Sequence, residues 1–84
     1  MAHYDYATRG TCARSISFDI EDGTLHDISF VGGCNGNLKA IGILLEGADA
    51  EETARKLAGN LCGNRPTSCA DQLSRAIDKA LATA

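Results

Sequence analysis

Two alternating runs split by Asp22-Gly23 constrain the fold of this chain more than any other feature. Over residues 14–20, Ile16, Phe18 and Ile20 point one way while Ser15, Ser17 and Asp19 point the other. A period of two over this length marks a half-buried strand. Asp-Gly between two such runs marks a hairpin. The second run, residues 25–31, puts His26, Ile28 and Phe30 on one face. Both apolar sets share a face if Ile16 lies opposite Phe30 and Phe18 opposite Ile28. That register predicts a three-residue loop, Asp22-Gly23-Thr24, with Gly23 supplying the positive φ. It also puts His26 on the core-facing parity, as a satisfied or half-exposed histidine rather than a ligand. Upstream, His3-Tyr4-Asp5-Tyr6 alternates weakly and suits a short edge strand.

After the hairpin the period changes to that of helices. Gly32-Gly33-Cys34-Asn35-Gly36-Asn37 breaks the strand, and Asn37 is expected to cap a helix whose apolar stripe is Leu38, Ile41, Leu44 and Leu45. Gly47 ends it. Asp49 is the expected N-cap of a second helix, with Glu52 completing a box-like arrangement. Ala50, Ala54, Leu57, Ala58 and Leu61 form its buried side, and Gly59 ends it. Cys62 and the single proline, Pro66, lie in the loop that follows. Thr67 or Ser68 then caps a last helix running to about Leu81, with Asp71 in its first turn and Cys69, Leu73, Ala76, Ile77 and Ala80 on one face. The order predicts an α+β fold, a small antiparallel sheet with three helices on one face.

Eighty-four residues suffice for a single domain, residues 1–84. A domain of this size buries only ~60% of its unfolded surface, so a metal, a bound ligand or a homodimer interface would add useful stability. The net charge of −3 argues against nucleic acid and anionic membrane as partners. No apolar stretch approaches the ~20 residues of a membrane span. The segment Met1-Ala2-His3-Tyr4-Asp5-Tyr6 lacks the basic and apolar regions of a signal peptide. These points predict a cytoplasmic protein whose thiols stay reduced. Metal ligation or thiol chemistry is then a better reading of its four cysteines than two disulfides.

Each cysteine adjoins glycine or a helix-start signal: Gly10-Thr11-Cys12, Gly33-Cys34-Asn35, Leu61-Cys62-Gly63 and Thr67-Ser68-Cys69. Cys69 opens the last helix, where unpaired N–H groups and the helix dipole favour an anion such as a thiolate. Around Cys34, Gly32, Gly33 and Gly36 allow backbone N–H groups to converge on a thiolate, sulfide or phosphate. Cys62 and Cys69 stand seven residues apart, too far for a zinc-ribbon knuckle. Any cluster must therefore assemble from distant parts of the chain. Four thiolates at Cys12, Cys34, Cys62 and Cys69 suit Zn²⁺ or an iron–sulfur cluster. The alternative is a metal-free redox or ligand-binding module. In it the loop Gly32, Gly33, Cys34, Asn35, Gly36 and Asn37 holds a nucleotide, flavin or persulfide. No catalytic triad, P-loop or carboxylate pair is present in the sequence, and no catalytic residue is identified.

Gly32-Gly33-Cys34-Asn35-Gly36-Asn37-Leu38 and Thr67-Ser68-Cys69-Ala70-Asp71-Gln72-Leu73 together resemble the signatures of the TSCPD domain family in its short stand-alone form. Gly10-Thr11-Cys12 and Leu61-Cys62-Gly63 also match that pattern. One departure is Ala70, which stands where the name-giving motif has proline; a first helical turn accepts either. Similar domains occur at the end of cobalamin-dependent ribonucleotide reductases, and stand-alone members carry a ribonucleoside-diphosphate reductase label. A reductase needs a radical cofactor and a large barrel, which 84 residues do not supply. The resemblance therefore implies an accessory, metal-binding or electron-delivery role, with a ribonucleotide reductase or other redox enzyme as partner. The element order also resembles the iron–sulfur cluster scaffold proteins, with Cys12, Cys34 and Cys69 in matching places. Arg14 and Ser68 depart from the scaffold pattern, and Cys62 is extra.

Overall fold

The computed structural model describes residues 2–8, 13–32, 35–60 and 67–83. Three antiparallel strands in the order β1-β2-β3 form one sheet: β1 (Ala2–Ala7), β2 (Ala13–Glu21) and β3 (Thr24–Gly32). Three helices follow: α1 (Asn35–Leu45), α2 (Ala50–Leu57) and α3 (Cys69–Thr83). The expected α+β architecture is present, and the weak N-terminal alternation does form the edge strand β1.

The hairpin forms, but its register changes along its length. Ile16 pairs with Phe30 as expected, whereas Ile20 pairs with Leu25 and Glu21 with Thr24. The loop is thus the two residues Asp22 and Gly23, at φ +51° and +77°, the left-handed pair that a tight hairpin turn requires. The slip is absorbed between Ser17↔Ser29 and Asp19↔His26, where β3 carries one extra residue. Asp27 marks this bulge at φ +52°, a conformation that aspartate tolerates better than most residues. One inserted residue exchanges the faces of everything before it. Leu25 therefore enters the core with no exposure, and His26 takes the other face of the sheet, paired with Asp19. The expected core-facing parity of His26 is corrected by this bulge.

Ile16, Phe18 and Leu25 from the sheet meet Ala50 and Ala54 of α2 and Leu73, Ala76, Ile77 and Ala80 of α3 in one core. Tyr4 and Tyr6 of β1 extend it, with the Tyr4 ring stacked on Phe18 at 5.7 Å between centroids. A second irregularity between Ala13 and Ser15 brings Ala13, the Cα partner of Gly32, into the buried set.

The N-cap of α2 is the one the sequence announces: Asp49 Oδ2 accepts from the Glu52 N–H at 2.8 Å. The helix ends at Leu57, and Ala58, expected inside its buried side, is an exposed cap residue. Leu61 lies outside the described residues. In α1 two expectations fail. The helix already begins at Asn35, so Asn37 is its third residue and not its cap. Leu44, expected in the buried stripe, is 80% exposed, while Leu38 is buried and Ile41 and Leu45 are half-buried.

Candidate functional site

The start of α3 is a closed set of polar bonds. Ser68 caps the helix: its Oγ accepts from the Asp71 N–H at 3.0 Å, and its carbonyl accepts from the Gln72 N–H at 2.8 Å. The same hydroxyl donates to the carbonyl of Asn60. Asp71 turns its carboxylate away from the cap. Its Oδ1 accepts from the Gly59 N–H at 2.8 Å, its Oδ2 accepts from the Thr67 hydroxyl, and Arg75 Nε lies 3.1 Å away. Gln72 Nε2 donates to Thr67 Oγ1 at 3.0 Å. Thr67, Ser68, Asp71 and Gln72 are all buried. The Thr67 hydroxyl first, then the Gly59 N–H and Arg75, hold the Asp71 carboxyl below the usual carboxylate range, against the opposing effect of burial.

These bonds clamp the end of α2 to the start of α3. One turn further along, Ser74 Oγ donates to the Ala54 carbonyl at 2.7 Å and fixes the two helices side by side. Asp71 is therefore an organising carboxylate, not a free acid. Among the described residues no buried side-chain polar atom lacks a hydrogen-bond partner. Of the run Thr67-Ser68-Cys69-Ala70-Asp71, the side chains of Thr67, Ser68 and Asp71 are engaged. Cys69 is half-buried with a free thiol.

The other expected site residues are less fully seen. Cys12, Cys34, Cys62 and Gly33 lie outside the described residues. Asn35 and Asn37 are in the first turn of α1. Gly32 has φ +81°, which only glycine adopts without strain, as the expected glycine-rich turn requires. Gly36 is an ordinary helical residue, and a Cβ there would meet nothing within 4 Å. Among the described residues no three His, Cys, Asp or Glu side chains gather as a metal-holding group.

The two ends of the sheet differ. At the turn end, Ala50 N donates to Gly23 O and Leu25 N to Ala48 O, both at 2.8 Å, so α2 starts beside the hairpin loop. At the opposite end Ala13 pairs with Gly32, and α1 begins three residues after Gly32. Sequence reasoning missed the side-chain bonds at the turn end. His26 Nδ1 lies 2.6 Å from Glu46 Oε2, and Glu46 Oε1 accepts from the Asp27 N–H at 2.9 Å. Across β1 and β2, His3 Nδ1 lies 2.6 Å from Asp19 Oδ1.

A family model for the TSCPD domain matches residues 1–81. No curated protein and no solved structure matches the chain. The likeness to iron–sulfur scaffolds remains a likeness of element order. No helix among the described residues is long and apolar enough to cross a membrane.

Proposed function

Because this chain belongs to the TSCPD domain family, we propose that it is a small metal-binding protein whose site is built on Cys12, Cys34, Cys62 and Cys69. The observation that carries this reading is the division of labour at the start of α3. Thr67, Ser68 and Asp71 are buried and bonded to each other and to Gly59 and Asn60, and Cys69 alone keeps a free donor atom. The carboxylate nearest in sequence, Asp71, is already committed, so a ligand at Cys69 would be held by sulfur. That donor chemistry fits Zn²⁺ or an iron–sulfur cluster better than Mg²⁺ or Ca²⁺.

Chain connectivity supports the remaining ligands. Cys12 precedes Ala13 and Cys34 is two residues past Gly32, and Ala13 and Gly32 are Cα partners. Cys62 is two residues past Asn60, whose carbonyl is bonded to Ser68, the neighbour of Cys69. Each cysteine is thus within two residues in sequence of one of these two contacts. Accessory service to ribonucleotide reduction is the role that family membership suggests for such a site.

The test is metal analysis with a UV–visible spectrum of the full chain purified without oxygen. Stoichiometric zinc, or iron with sulfide, lost in Cys34→Ser and Cys69→Ser together with several kcal/mol of stability, is the expected result. Metal-free protein whose thiols all react before any chelator is added would overturn it. A bound nucleotide or flavin would move the function to the glycine-rich turn.

A further inference from the structure

A groove of about 590 Å³ runs between β3 and α1, lined among others by Asp27, Phe30, Lys39, Gly42, Ile43 and Glu46. Its floor is narrow: a Cβ on Gly42 would come within 2.9 Å of the Ile28 carbonyl oxygen. One wall is the outer edge of β3. Near the turn that edge is covered, since Leu25 bonds to Ala48 and Gly47. Beyond the Asp27 bulge, among the described residues, β3 has β2 on one side and no strand on the other. Gly42 of α1 covers the edge at the Ile28 carbonyl, and the residues past it, Ser29, Phe30 and Val31, include no lysine, proline or other guard against edge pairing.

The second wall is α1, with Ile43 67% exposed. At ~100° per residue, Lys39 and Ile43 share one face of α1 while Leu44 is turned away from it, and Glu46 follows just past the end of the helix. Leu44 instead lines a separate groove between α1 and α2. The shared face is polar in a lengthwise sense. Lys39 stands at one end, with no carboxylate within ion-pair distance among the described residues. Asp27 and Glu46 stand at the other end; Glu46 already accepts from the Asp27 N–H and lies beside His26, so the Asp27 carboxylate is the group left to meet a partner's lysine.

We propose that this groove is the seat of a second copy of this chain, docked antiparallel about a two-fold axis near Ile43. Such an axis sets Lys39 of each copy against the acidic end of the other, closing both charge pairs at once. It packs Ile43 on Ile43 and lets the two β3 edges pair into a continuous sheet. An unrelated partner needs only a basic and an acidic spot somewhere. The end-to-end opposition within one groove is what self-pairing requires.

Sedimentation equilibrium of the full chain, from about 5 to 500 µM, tests this. The expected result is a reversible dimer that Ile43→Asp reduces to a monomer with an unchanged far-UV spectrum. Lys39→Glu removes both symmetry-related ion pairs and should weaken it by roughly two- to thirtyfold. Leu44→Asp, on the other side of α1, should leave it intact. A wild-type monomer over the whole range, or a dimer lost in Leu44→Asp but kept in Ile43→Asp and Lys39→Glu, would overturn the proposal.

Discussion

Helices α1 and α3 make opposite use of similar material. In α3 one face is wholly apolar and buried through Leu73, Ala76, Ile77 and Ala80, and the first turn is bonded to the end of α2 by Ser68 and Asp71. In α1 apolar residues run around most of the circumference, so that Leu38 is buried while Ile43 and Leu44 stand in solvent. An amphipathic helix is explained by the core it covers. A helix with apolar residues left outside has more to cover than its own domain offers. The contrast separates α3, which holds the fold together, from α1, which has surface to spare for a partner.

Truncation should separate the two helices most sharply. Ile77→Ala or Leu73→Ala removes a side chain with no exposure and should cost about 2–5 kcal/mol in urea unfolding. Leu44→Ala in α1 should change monomer stability by no more than about 0.5 kcal/mol. A large loss at Leu44 would contradict the contrast.

The start of α3 is the next place to press. Asp71→Ala removes the acceptor of both the Gly59 N–H and the Thr67 O–H and should cost about 1.5–3 kcal/mol. Ser68→Ala, which removes the cap, should cost about 0.5–2 kcal/mol. If both variants melted like the parent, the clamp would not be structural.

Two glycines within α1 sharpen the comparison further. Gly42→Ala brings a Cβ against the Ile28 carbonyl and should destabilise by about 1–3 kcal/mol. Gly36→Ala meets open space and should stabilise by up to about 0.5–1 kcal/mol. Equal effects would mean that α1 does not sit tightly on β3.

The smallest effect is the pH dependence. Asp71 and Glu46 are held below the carboxylate range, Glu46 chiefly by the Asp27 N–H and then by His26. Their stabilisation is present above about pH 4 and drains away as the pH falls through their lowered values. His3 is raised, chiefly by its bond to Asp19, so its contribution is present below about pH 6.5 and is lost as the pH rises through the raised value. Thermal melts should show an acid decline that Asp71→Ala flattens, and a slighter alkaline decline absent in His3→Ala.

Much of the fold was legible because its signals are local. Asp22-Gly23 named the turn, Asp49 the start of α2, and the spacing of Leu73, Ile77 and Ala80 the buried face of α3. The register near the turn was not legible. A bulge is one residue of extra length, and Asp27 carries no mark beyond aspartate's tolerance of positive φ. The clamp at α3 was half legible. Ser68 and Asp71 stand in cap positions, but the partner of the Asp71 carboxylate is the N–H of Gly59, twelve residues away. At the candidate site, Cys69 was found at the helix start where the sequence put it. The burial of Thr67 and Gln72 around it had no signal in hydropathy, since both look like surface residues.

The Asp27 bulge has a consequence for how the molecule assembles. The hairpin has two competing alignments, one continuous and one with the slip, and a two-stranded ribbon closing in ~1–10 µs has little energy with which to choose. The continuous alignment would bring His26 into the interior and expel Leu25. Besides the burial of Leu25, one contact marks the slipped alignment: Glu46, just past the end of α1, holds the Asp27 amide with one oxygen and His26 with the other. In the folded molecule the slipped alignment is thus held from outside the hairpin by a residue about twenty positions downstream.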